Sequence, residues 1–450
     1  MRGKKPLFSQ KHIQRSTPAT SDDCGRTTRL AARRQLIVRT ILTFLFLSIV
    51  SQPLFSSSLD AINRNIKIQE IQALRTGGAS GYGKLALSYL SRARLVGDWN
   101  DVSSAESALA KAQRIDAKNP ETLWAAINIH LYQHQFSDML RSARKMVLEH
   151  PNDARGYGGL GDALFELGNL DEARKAYEQM AEINRGFDAL VRLARAQDAL
   201  GNSDDAIRLM QQAKTFLAPE DSRRNWAEVM LAAFEMGQGN LSEAINTLEI
   251  VVSDSPEDYF ALEHLAEANS LLQNYEKADQ LYARVFQIRP EPVFARAWAE
   301  VKRARNEHAF ADTLDAIAER ALRSHVEAGR IAYFRELADF YLSVDRESEQ
   351  ALQLAKEDFK IRQDTGAYEI LARAWLANND LEKAQKYIAI AVSRPDAGSM
   401  TFYHAGKIFQ AAGNLAKAQA CMKKALAQNA FFGAAEKSEA QRLCSVQPSL

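Results

Sequence analysis

The sequence predicts an all-α protein built as one long stack of helix pairs, an α-solenoid, after a single apolar segment near its amino terminus. Apolar residues recur every three or four positions from Tyr82 onward, which is the period of amphipathic helices. Proline and glycine are scarce, with 11 and 22 in 450 residues, and no run alternates like a strand. A recurring spacing of about 34 residues indicates repeats rather than separate compact domains.

Charge is unevenly distributed along the chain. Residues 1–39 carry ten Lys or Arg side chains against two Asp, a balance of +8, whereas the whole chain has a net charge of +1. The remainder is mildly acidic, with 47 basic and 54 acidic side chains. Nucleic-acid binding is therefore not expected, because that affinity comes mainly from neutralised phosphates. We interpret residues 1–39 as a basic, disordered leader that stays in the cytoplasm.

An uncharged run of 20 residues, 40–59, follows the leader. At about 1.5 Å per residue a helix of this length reaches about 30 Å, enough for the core of a bilayer. A basic leader before an apolar run is typical of an export signal. We predict a single-pass anchor in the cytoplasmic (inner) membrane, with the repeats on the extracytoplasmic side. The alternatives are a cleaved signal, which would release a secreted or periplasmic protein, and a buried core helix. Residues 60–82 are predicted to be a linker.

Ten repeat units follow along the rest of the chain. In the register set by Gly161 and Tyr177 they begin at residues 86, 120, 154, 187, 225, 259, 293, 331, 365 and 399. Small residues are expected at two places per unit, where the paired helices come close together. The first place holds Gly161, Ala194, Ala232, Ala266, Ala338, Ala372 and Gly406, and the second holds Ala105, Ala173, Ala206, Ala244, Ala278, Ala384 and Ala418. Pro151, Pro256 and Pro290 end second helices, because proline lacks an N–H donor and clashes with the preceding turn.

The spacing is irregular at two places. Four extra residues, including Pro219, precede the unit at 225, and four more precede the unit at 331. We expect an irregular turn or a kink near residues 323–330. Each irregularity has two interpretations that the sequence leaves open: a functional feature, or sequence drift without a function.

These units resemble the tetratricopeptide repeat (TPR), a pair of antiparallel helices, and the resemblance covers roughly residues 83–440. The carboxy-terminal half is similar to exported bacterial TPR proteins of unassigned activity, most clearly at Tyr403, His404, Ala405 and Gly406. The resemblance implies a right-handed superhelix whose first helices line a concave groove that binds a peptide or a partner's helix. Residues 441–450 are left as a tail.

The resemblance also implies which residues face the groove, because these are expected at the second, fifth, ninth and twelfth places of each unit. The candidates are Trp124, Asn128, Asp162, Arg195, Trp226, His264, Glu267, Arg335, Asp339, Arg373, Tyr403 and Lys407. Their charges are mixed in sign, and no three consecutive units supply the Lys, Asn and Arg cluster with which TPR proteins clasp a terminal carboxylate. We expect a protein or peptide partner other than a chaperone tail. A solvated helix face without a ligand is the alternative for each candidate.

Two motifs for small ligands lack their context. Gly156, Gly158 and Gly161 form G-x-G-x-x-G, which binds a dinucleotide when a buried strand precedes it, but a charged helical segment precedes it here. His130 and His134 have the i, i+4 spacing of zinc ligands without a third ligand. We predict no cofactor and no metal site, and we interpret Gly161 as a packing residue. Three cysteines do not make a disulfide framework.

The sequence thus predicts a non-enzymatic scaffold, anchored in a membrane by its amino-terminal segment, that binds a protein in its groove. One alternative is an accessory subunit that presents substrates to a separate envelope enzyme. An enzyme using His264 with Glu267, which share a helical face at a spacing of three, and a cytoplasm-facing receptor of reverse topology are less favoured.

Overall fold

The computed structural model describes residues 59–344, 346–429 and 432–445. The predicted leader 1–39 and, except for Leu59, the predicted membrane segment 40–59 lie outside the described residues. Within the described part, no helix is both long enough and apolar enough to cross a bilayer.

The described residues form 22 α-helices and one 3-10 turn, without any strand. The helices are α1 Leu59–Thr76, α2 Ala79–Val96, α3 Trp99–Asp116, α4 Pro120–Tyr132, α5 Phe136–Glu149, α6 Ala154–Glu166, α7 Leu170–Ile183, α8 Phe187–Ala199, α9 Ser203–Lys214, α10 Arg223–Gln238, α11 Leu241–Asp254, α12 Tyr259–Leu271, α13 Tyr275–Ile288, α14 Pro292–Ala304, α15 His308–Glu327, α16 Phe334–Ser343, α17 Ser348–Ile361, α18 Thr365–Ala377, α19 Leu381–Ala391, α20 Ser399–Ala411, α21 Leu415–Gln428 and α22 Ala434–Ser445. The 3-10 turn, Ile331–Tyr333, lies directly before α16.

Helices α2 to α21 pair into ten hairpins, and each hairpin packs on the next. If the 3-10 turn is counted as the start of the eighth hairpin, nine of the ten begin within two residues of the predicted unit starts. The first begins seven residues before its predicted start, at Ala79 instead of residue 86. The predicted all-helical repeat architecture is therefore confirmed. Several first helices begin at an aspartate whose carboxylate accepts a backbone N–H, as Asp153, Asp258 and Asp364 do for α6, α12 and α18.

Small residues let the paired helices touch. A Cβ added to Gly161 would lie 2.2 Å from Cε1 of Tyr177, and one added to Gly406 would lie 2.7 Å from Cε of Met422. The alanines predicted at the two close-approach places have no exposed surface. Gly161 is thus a packing residue, as predicted, and the segment before its G-x-G-x-x-G motif is the helix α5 rather than a strand.

Three segments differ from the expectations. Residues 60–82 hold α1 and the start of α2, because Ile62, Ile66 and Ala73 form an apolar stripe that packs against α2 instead of leaving a linker. The tail 441–450 begins inside α22. The extra residues near 325 lengthen α15 to 20 residues before an irregular turn at Gly329, whose φ is +77°, whereas those near Pro219 lie in the loop before α10.

The coil of hairpins contacts itself, so that early units touch late ones. Nη2 of Arg394 lies 2.5 Å from the backbone oxygen of Gly168, and Nδ2 of Asn429 lies 3.3 Å from that of Met236. The Arg330 guanidinium lies 4.5 Å from the centre of a ring of Trp99. We call this line of contacts between units one to five and units six to ten the seam.

Candidate protein-binding surface

The twelve predicted groove residues all lie on first helices, but most of them are buried. Ten have 9% or less of their surface exposed, namely Asn128, Asp162, Arg195, Trp226, His264, Glu267, Arg335, Asp339, Arg373 and Tyr403. Trp124 and Lys407 are half-buried. The concave side is thus filled largely by its own side chains, and partner binding by these residues stays a prediction.

Asp162 binds side chains from two other helices. Arg192 of α8 contacts it at two points, Nε to Oδ1 and Nη2 to Oδ2, both at 2.9 Å. The hydroxyl of Tyr177 donates to Oδ1 at 2.9 Å, and burial together with the charge of Asp162 raises the pKa of this phenol. One turn further along α6, Glu166 accepts a hydrogen bond from Nη2 of Arg195 at 2.7 Å. These bonds tie the third unit to the fourth.

Asp339 of α16 lies between two buried arginines. Its Oδ2 accepts from Nη2 of Arg296 at 2.8 Å, and its Oδ1 accepts from Nη1 of Arg373 at 2.7 Å. This three-residue network, the Asp339 triad, links the first helices α14, α16 and α18. Removing one partner of a buried ionic network leaves an unpaired charge and is strongly destabilising.

Arg335 is the centre of a neighbouring network. Its Nε donates to Asp358 at 2.9 Å and its Nη2 to Asp364 at 2.7 Å, while Nε of Arg362 donates to Asp358 at 2.7 Å. Burial opposes the charged forms, but the two carboxylates raise the pKa of Arg335, and Arg335 lowers the pKa of Asp364. The network joins α16 and α17 to the start of α18.

Glu369 and His404 form a buried pair between α18 and α20. Nδ1 of His404 lies 2.7 Å from Oε1 of Glu369, and the hydroxyl of Thr401 donates to Oε2 at 2.7 Å. Burial, then the nearby Arg373, lowers the pKa of His404, so a neutral ring donates its Nδ1–H. Burial opposes ionisation of Glu369, but its contacts with His404 hold the pKa of that carboxyl below its usual value.

The two half-buried candidates lie near opposite ends of the coil. Lys407 pairs with Glu439 of α22, which also accepts a hydrogen bond from Tyr403 at 2.5 Å. The Arg155 guanidinium lies 5.9 Å from the centre of a ring of Trp124. Both side chains therefore keep contacts within the chain while part of their surface stays open to solvent.

His264 and Glu267 do not form an exposed pair. Nδ1 of His264 lies 3.0 Å from the backbone oxygen of Phe260 in its own helix, and the residue is 1% exposed. Glu263, which occupies the fifth place of this unit, is 2% exposed and lies 2.9 Å from the same nitrogen. The imidazole of His264 is therefore packed inside the stack of helices.

Sequence reasoning missed several members of these networks. Glu263 and Glu369 occupy fifth places of their units, so a stricter use of the register would have found them. Arg192 and Arg296 lie outside the register, and Asp358 lies on a second helix, so periodicity carried no signal for them.

One open cleft of about 670 Å³ lies beside the concave side. The end of α8, the start of α9, the ends of α10 and α12, the loop before α20 and the end of α21 form its walls. Its acidic residues are Asp198, Asp204, Asp205 and Glu267, and no Lys or Arg occurs among its described lining residues. We call it the acidic cleft.

Metal ligands are not gathered anywhere in the described part of the chain, where no group of three or more His, Cys, Asp or Glu could hold a metal ion. His130 lies in α4 with Nδ1 2.9 Å from Oε1 of Gln135, and His134 lies in the following turn.

Comparison with known families agrees with the hairpin register. Models of the tetratricopeptide repeat match residues 125–189 and 230–291, residues 188–215 and residues 401–431. The chain belongs to the tetratricopeptide repeat superfamily. Its TPR hairpins are of the kind that commonly builds protein-interaction scaffolds.

Solved TPR structures share low sequence identity with this chain. Yeast Tom70 is 13% identical with a TM-score of 0.36, covering 89% of this chain and 94% of that chain. Human IFIT1, solved as a dimer with PPP-AAAA, is 13% identical with a TM-score of 0.46, covering 86% and 94%. A tetratricopeptide repeat protein from Parabacteroides merdae is 16% identical with a TM-score of 0.36, covering 57% and 97%.

Among curated proteins, this TPR chain is similar to cellulose synthase operon protein C of Pseudomonas fluorescens (strain SBW25). The two are 22% identical over 226 residues, which is 48% of this chain. The match spans 18% of the length of that protein.

Proposed function

We propose that this TPR protein is a non-catalytic scaffold that binds a basic segment of a partner protein in the acidic cleft. The observation that carries the proposal is the charge of this cleft. Four carboxylate residues line it, one of which, Glu267, is a predicted groove residue. The cleft is open to solvent, with Asp204 exposed and Asp205 half-buried, whereas Glu267 is buried like nine of the other predicted groove residues.

Asp204 and Asp205 give the cleft its negative charge. Asp204 accepts a hydrogen bond from the Gln238 amide at 2.9 Å, which is a neutral donor. Asp205 pairs with Arg208 at 2.7 Å in an exposed contact, which screens its charge only weakly. Lys and Arg side chains of a partner would find complementary charge and the apolar surfaces of Phe234 and Leu271 in one place.

A photo-crosslinking amino acid at the exposed, cleft-lining Gln238 tests this proposal in the full-length chain. We expect a crosslinked partner whose contacting peptide is rich in Lys or Arg. The double variant Asp204→Lys, Asp205→Lys should abolish the crosslink, because it replaces two negative charges with two positive ones.

The matched control is Asp171→Lys, Glu172→Lys. These residues occupy the same two places in the first turn of α7 that Asp204 and Asp205 occupy in α9, but they lie outside the cleft. A crosslink that survives in the cleft variant, or that joins an acidic peptide, would refute the proposal.

We further propose that residues 40–59 anchor the scaffold in the cytoplasmic membrane, with the repeats outside the cytoplasm. The exposed face of α1 supports this, because α1 begins where the apolar run ends. Ile68, Ile71 and Leu74 are 50%, 65% and 75% exposed. Arg64, Lys67 and Arg75 share this face at spacings of three and four. A face that mixes apolar and basic residues suits the surface of a bilayer with anionic lipids.

Topology is tested by protease protection of a carboxy-terminal tag in intact cells and after the outer envelope is opened. Digestion only from outside the cytoplasmic membrane would agree with the proposed orientation. Protection in both cases would mean that the repeats face the cytoplasm.

A second candidate function is that of an accessory subunit of an envelope enzyme complex. The match to a protein named for a cellulose synthase operon favours it, because cellulose synthase is a polysaccharide-synthesising enzyme. Co-purification of the full-length chain with a glycan-synthesising activity would support this candidate, and its loss in Asp204→Lys, Asp205→Lys would place the contact in the acidic cleft.

A further inference from the structure

A second cavity, of about 190 Å³, lies in the seam. The end of α2, the start of α3 and the end of α4 form one side, and residues of units six to eight form the other. Three of its lining residues are arginines, Arg94, Arg289 and Arg330, whereas Glu291 is its one acidic residue among those described. Side chains that are far apart in the chain thus build one cationic cavity.

Arg94 has no carboxylate partner within the described structure. Its Nη2 donates to the amide oxygen of Asn128 at 3.3 Å, which is a neutral acceptor. Burial lowers the pKa of Arg94 to about 10, so the guanidinium still carries its charge at neutral pH. Arg94 is half-buried, and a cation that loses part of its hydration without gaining an anion raises the free energy of the folded state. An anionic ligand would remove that cost.

Arg330 is also held by neutral groups. Its Nη1 donates to Nδ1 of His325 at 2.5 Å, and its guanidinium lies over Trp99. Because an arginine N–H can only donate, Nδ1 must be the unprotonated nitrogen of this ring. Burial, then the charge of Arg330, lowers the pKa of His325 to about 4, so the imidazole is neutral at pH 7.

Only the third arginine has an acidic neighbour. Nε of Arg289 lies 3.4 Å from Oε1 of Glu291. Three guanidinium groups against one carboxylate leave an excess of two positive charges in the cavity lining. Such an excess in a partly enclosed space favours an oxyanion with phosphate or carboxylate geometry, which guanidinium groups bind by paired N–H donors.

Aromatic rings form much of the remaining wall. The rings of His325 and Tyr333 are stacked, with centroids 4.0 Å apart and planes at 17°. Trp99 and Tyr132 pack with centroids 5.6 Å apart. Aromatic walls favour a flat ligand body, and a volume of about 190 Å³ holds roughly six water molecules, the size of one ring with a phosphate.

The irregular seventh unit supplies part of this cavity. His325 lies in the extended last turns of α15, Arg330 in the connection that follows, and Tyr333 in the 3-10 turn. The four extra residues seen in the sequence therefore shape a wall of the cavity.

We propose that the seam cavity binds a small molecule that carries a phosphate or carboxylate group on a flat ring, with the oxyanion held by Arg94 and Arg330. Such a ligand contacts both sides of the seam and stabilises the closed coil. This site depends neither on the partner in the acidic cleft nor on the membrane segment.

The test uses the full-length chain, purified in an uncharged detergent, with thermal unfolding and calorimetric titration as readouts. Phenyl phosphate and benzoate are the probes. Inorganic phosphate and phenol measure separately how much the anionic group and the ring contribute to binding. We expect phenyl phosphate or benzoate to bind and to raise the melting temperature, because a ligand of the folded state stabilises it. Phosphate should bind more weakly, and phenol should not bind. The stronger of the two probes identifies the oxyanion.

Arg94→Met and Arg330→Met should each weaken probe binding by about tenfold or more. Each replaces a charged hydrogen-bond donor with an uncharged side chain of similar length. Arg320→Met, at an exposed position of α15, is the matched control and should bind as the wild type does. Without probe, Arg94→Met should melt no lower than the wild type, since it removes an unpaired cation. The proposal fails if no probe binds the wild type, or if all three variants bind equally.

Discussion

Arg394 donates a hydrogen bond from Nη2 to the backbone oxygen of Gly168, 226 residues earlier in the chain and 2.5 Å away. The bond joins the loop after α19 to the turn between α6 and α7, and so joins two turns of the coil. Gly168 has a left-handed backbone, with φ +82°, and a Cβ added to it would lie 2.6 Å from Nη2 of Arg394 and 2.9 Å from the oxygen of Gln363. The seam therefore needs a residue without a side chain at this turn.

Gly168→Ala should destabilise the protein more than Gly201→Ala. Gly201 occupies the equivalent turn of the next unit at φ +84°, with nothing within 4 Å of an added Cβ. In both variants the free energy of unfolding should fall by about 1–2 kcal/mol, because alanine is strained in the left-handed backbone conformation. The free energy of unfolding of Gly168→Ala should fall by about 1–3 kcal/mol more, because the new methyl group overlaps atoms on the other side of the seam. Denaturant unfolding measures the difference, and equal losses would mean that the seam is open in solution.

Gly161→Ala should destabilise the third unit, whereas Gly237→Ala should not. The Gly161 methyl group would overlap the ring of Tyr177, and overpacking of this kind costs about 1–3 kcal/mol or more. Gly237 lies inside α10, and nothing lies within 4 Å of a Cβ added to it. Alanine there should raise the free energy of unfolding by about 0.5–1 kcal/mol, because it has the higher helix propensity. Thermal unfolding of the two variants should thus shift in opposite directions. A shift of the same sign in both would argue against the assigned helix pairing.

Asp339→Asn should lower the free energy of unfolding by about 3–5 kcal/mol, because it leaves the buried Arg296 and Arg373 without their shared carboxylate. The control is Asp205→Asn, which breaks the exposed pair with Arg208 and should change stability by less than about 1 kcal/mol. Chemical unfolding at pH 7 compares the two variants. A small effect of Asp339→Asn would show that water reaches the triad.

Stability should fall as the pH falls from about 6.5 towards 3, in part because of His134. Burial, then the charges of Arg362 and Arg335, lowers the pKa of His134 from 6.5 to about 3. Between these two pH values the unfolded chain binds a proton at this residue and the folded chain does not. The free energy of unfolding therefore falls by up to about 1.4 kcal/mol for each pH unit because of this group. Above pH 6.5 both states are neutral there and the contribution disappears.

His134→Asn should flatten this part of the pH profile. Asparagine tolerates the left-handed backbone that His134 adopts, with φ +56°, and it does not titrate. His308→Asn changes an exposed histidine and serves as the control. If unfolding midpoints measured from pH 7 to pH 4 have the same slope in both variants, His134 is not held among cations across the seam.

The local rules of the repeat can be recognised in the amino-acid sequence alone. The spacing of Gly161 and Tyr177 predicts which helices pair, and Pro151 and Pro256 predict where second helices end. The prediction of a linker at 60–82 was wrong because the apolar stripe that this segment buries is short, so only packing against α2 shows that it is a helix of the fold. The groove register located first helices correctly, yet it could not show that residues such as Asp162 and Arg373 are buried by their own neighbours.

The difference between local and long-range information explains which features could be predicted. Helix periodicity, close-approach alanines and turn residues act over a few tens of residues, so the hairpins, their number and their order follow from the sequence alone. The buried networks of Arg296 and Arg335 join successive hairpins, whereas the seam, the acidic cleft and the cationic cavity depend on contacts between residues up to 231 positions apart. Those contacts arise from small rotations between successive hairpins that add up over the coil, and the three-dimensional fold is needed to show that they bring Gly168 and Arg394 together.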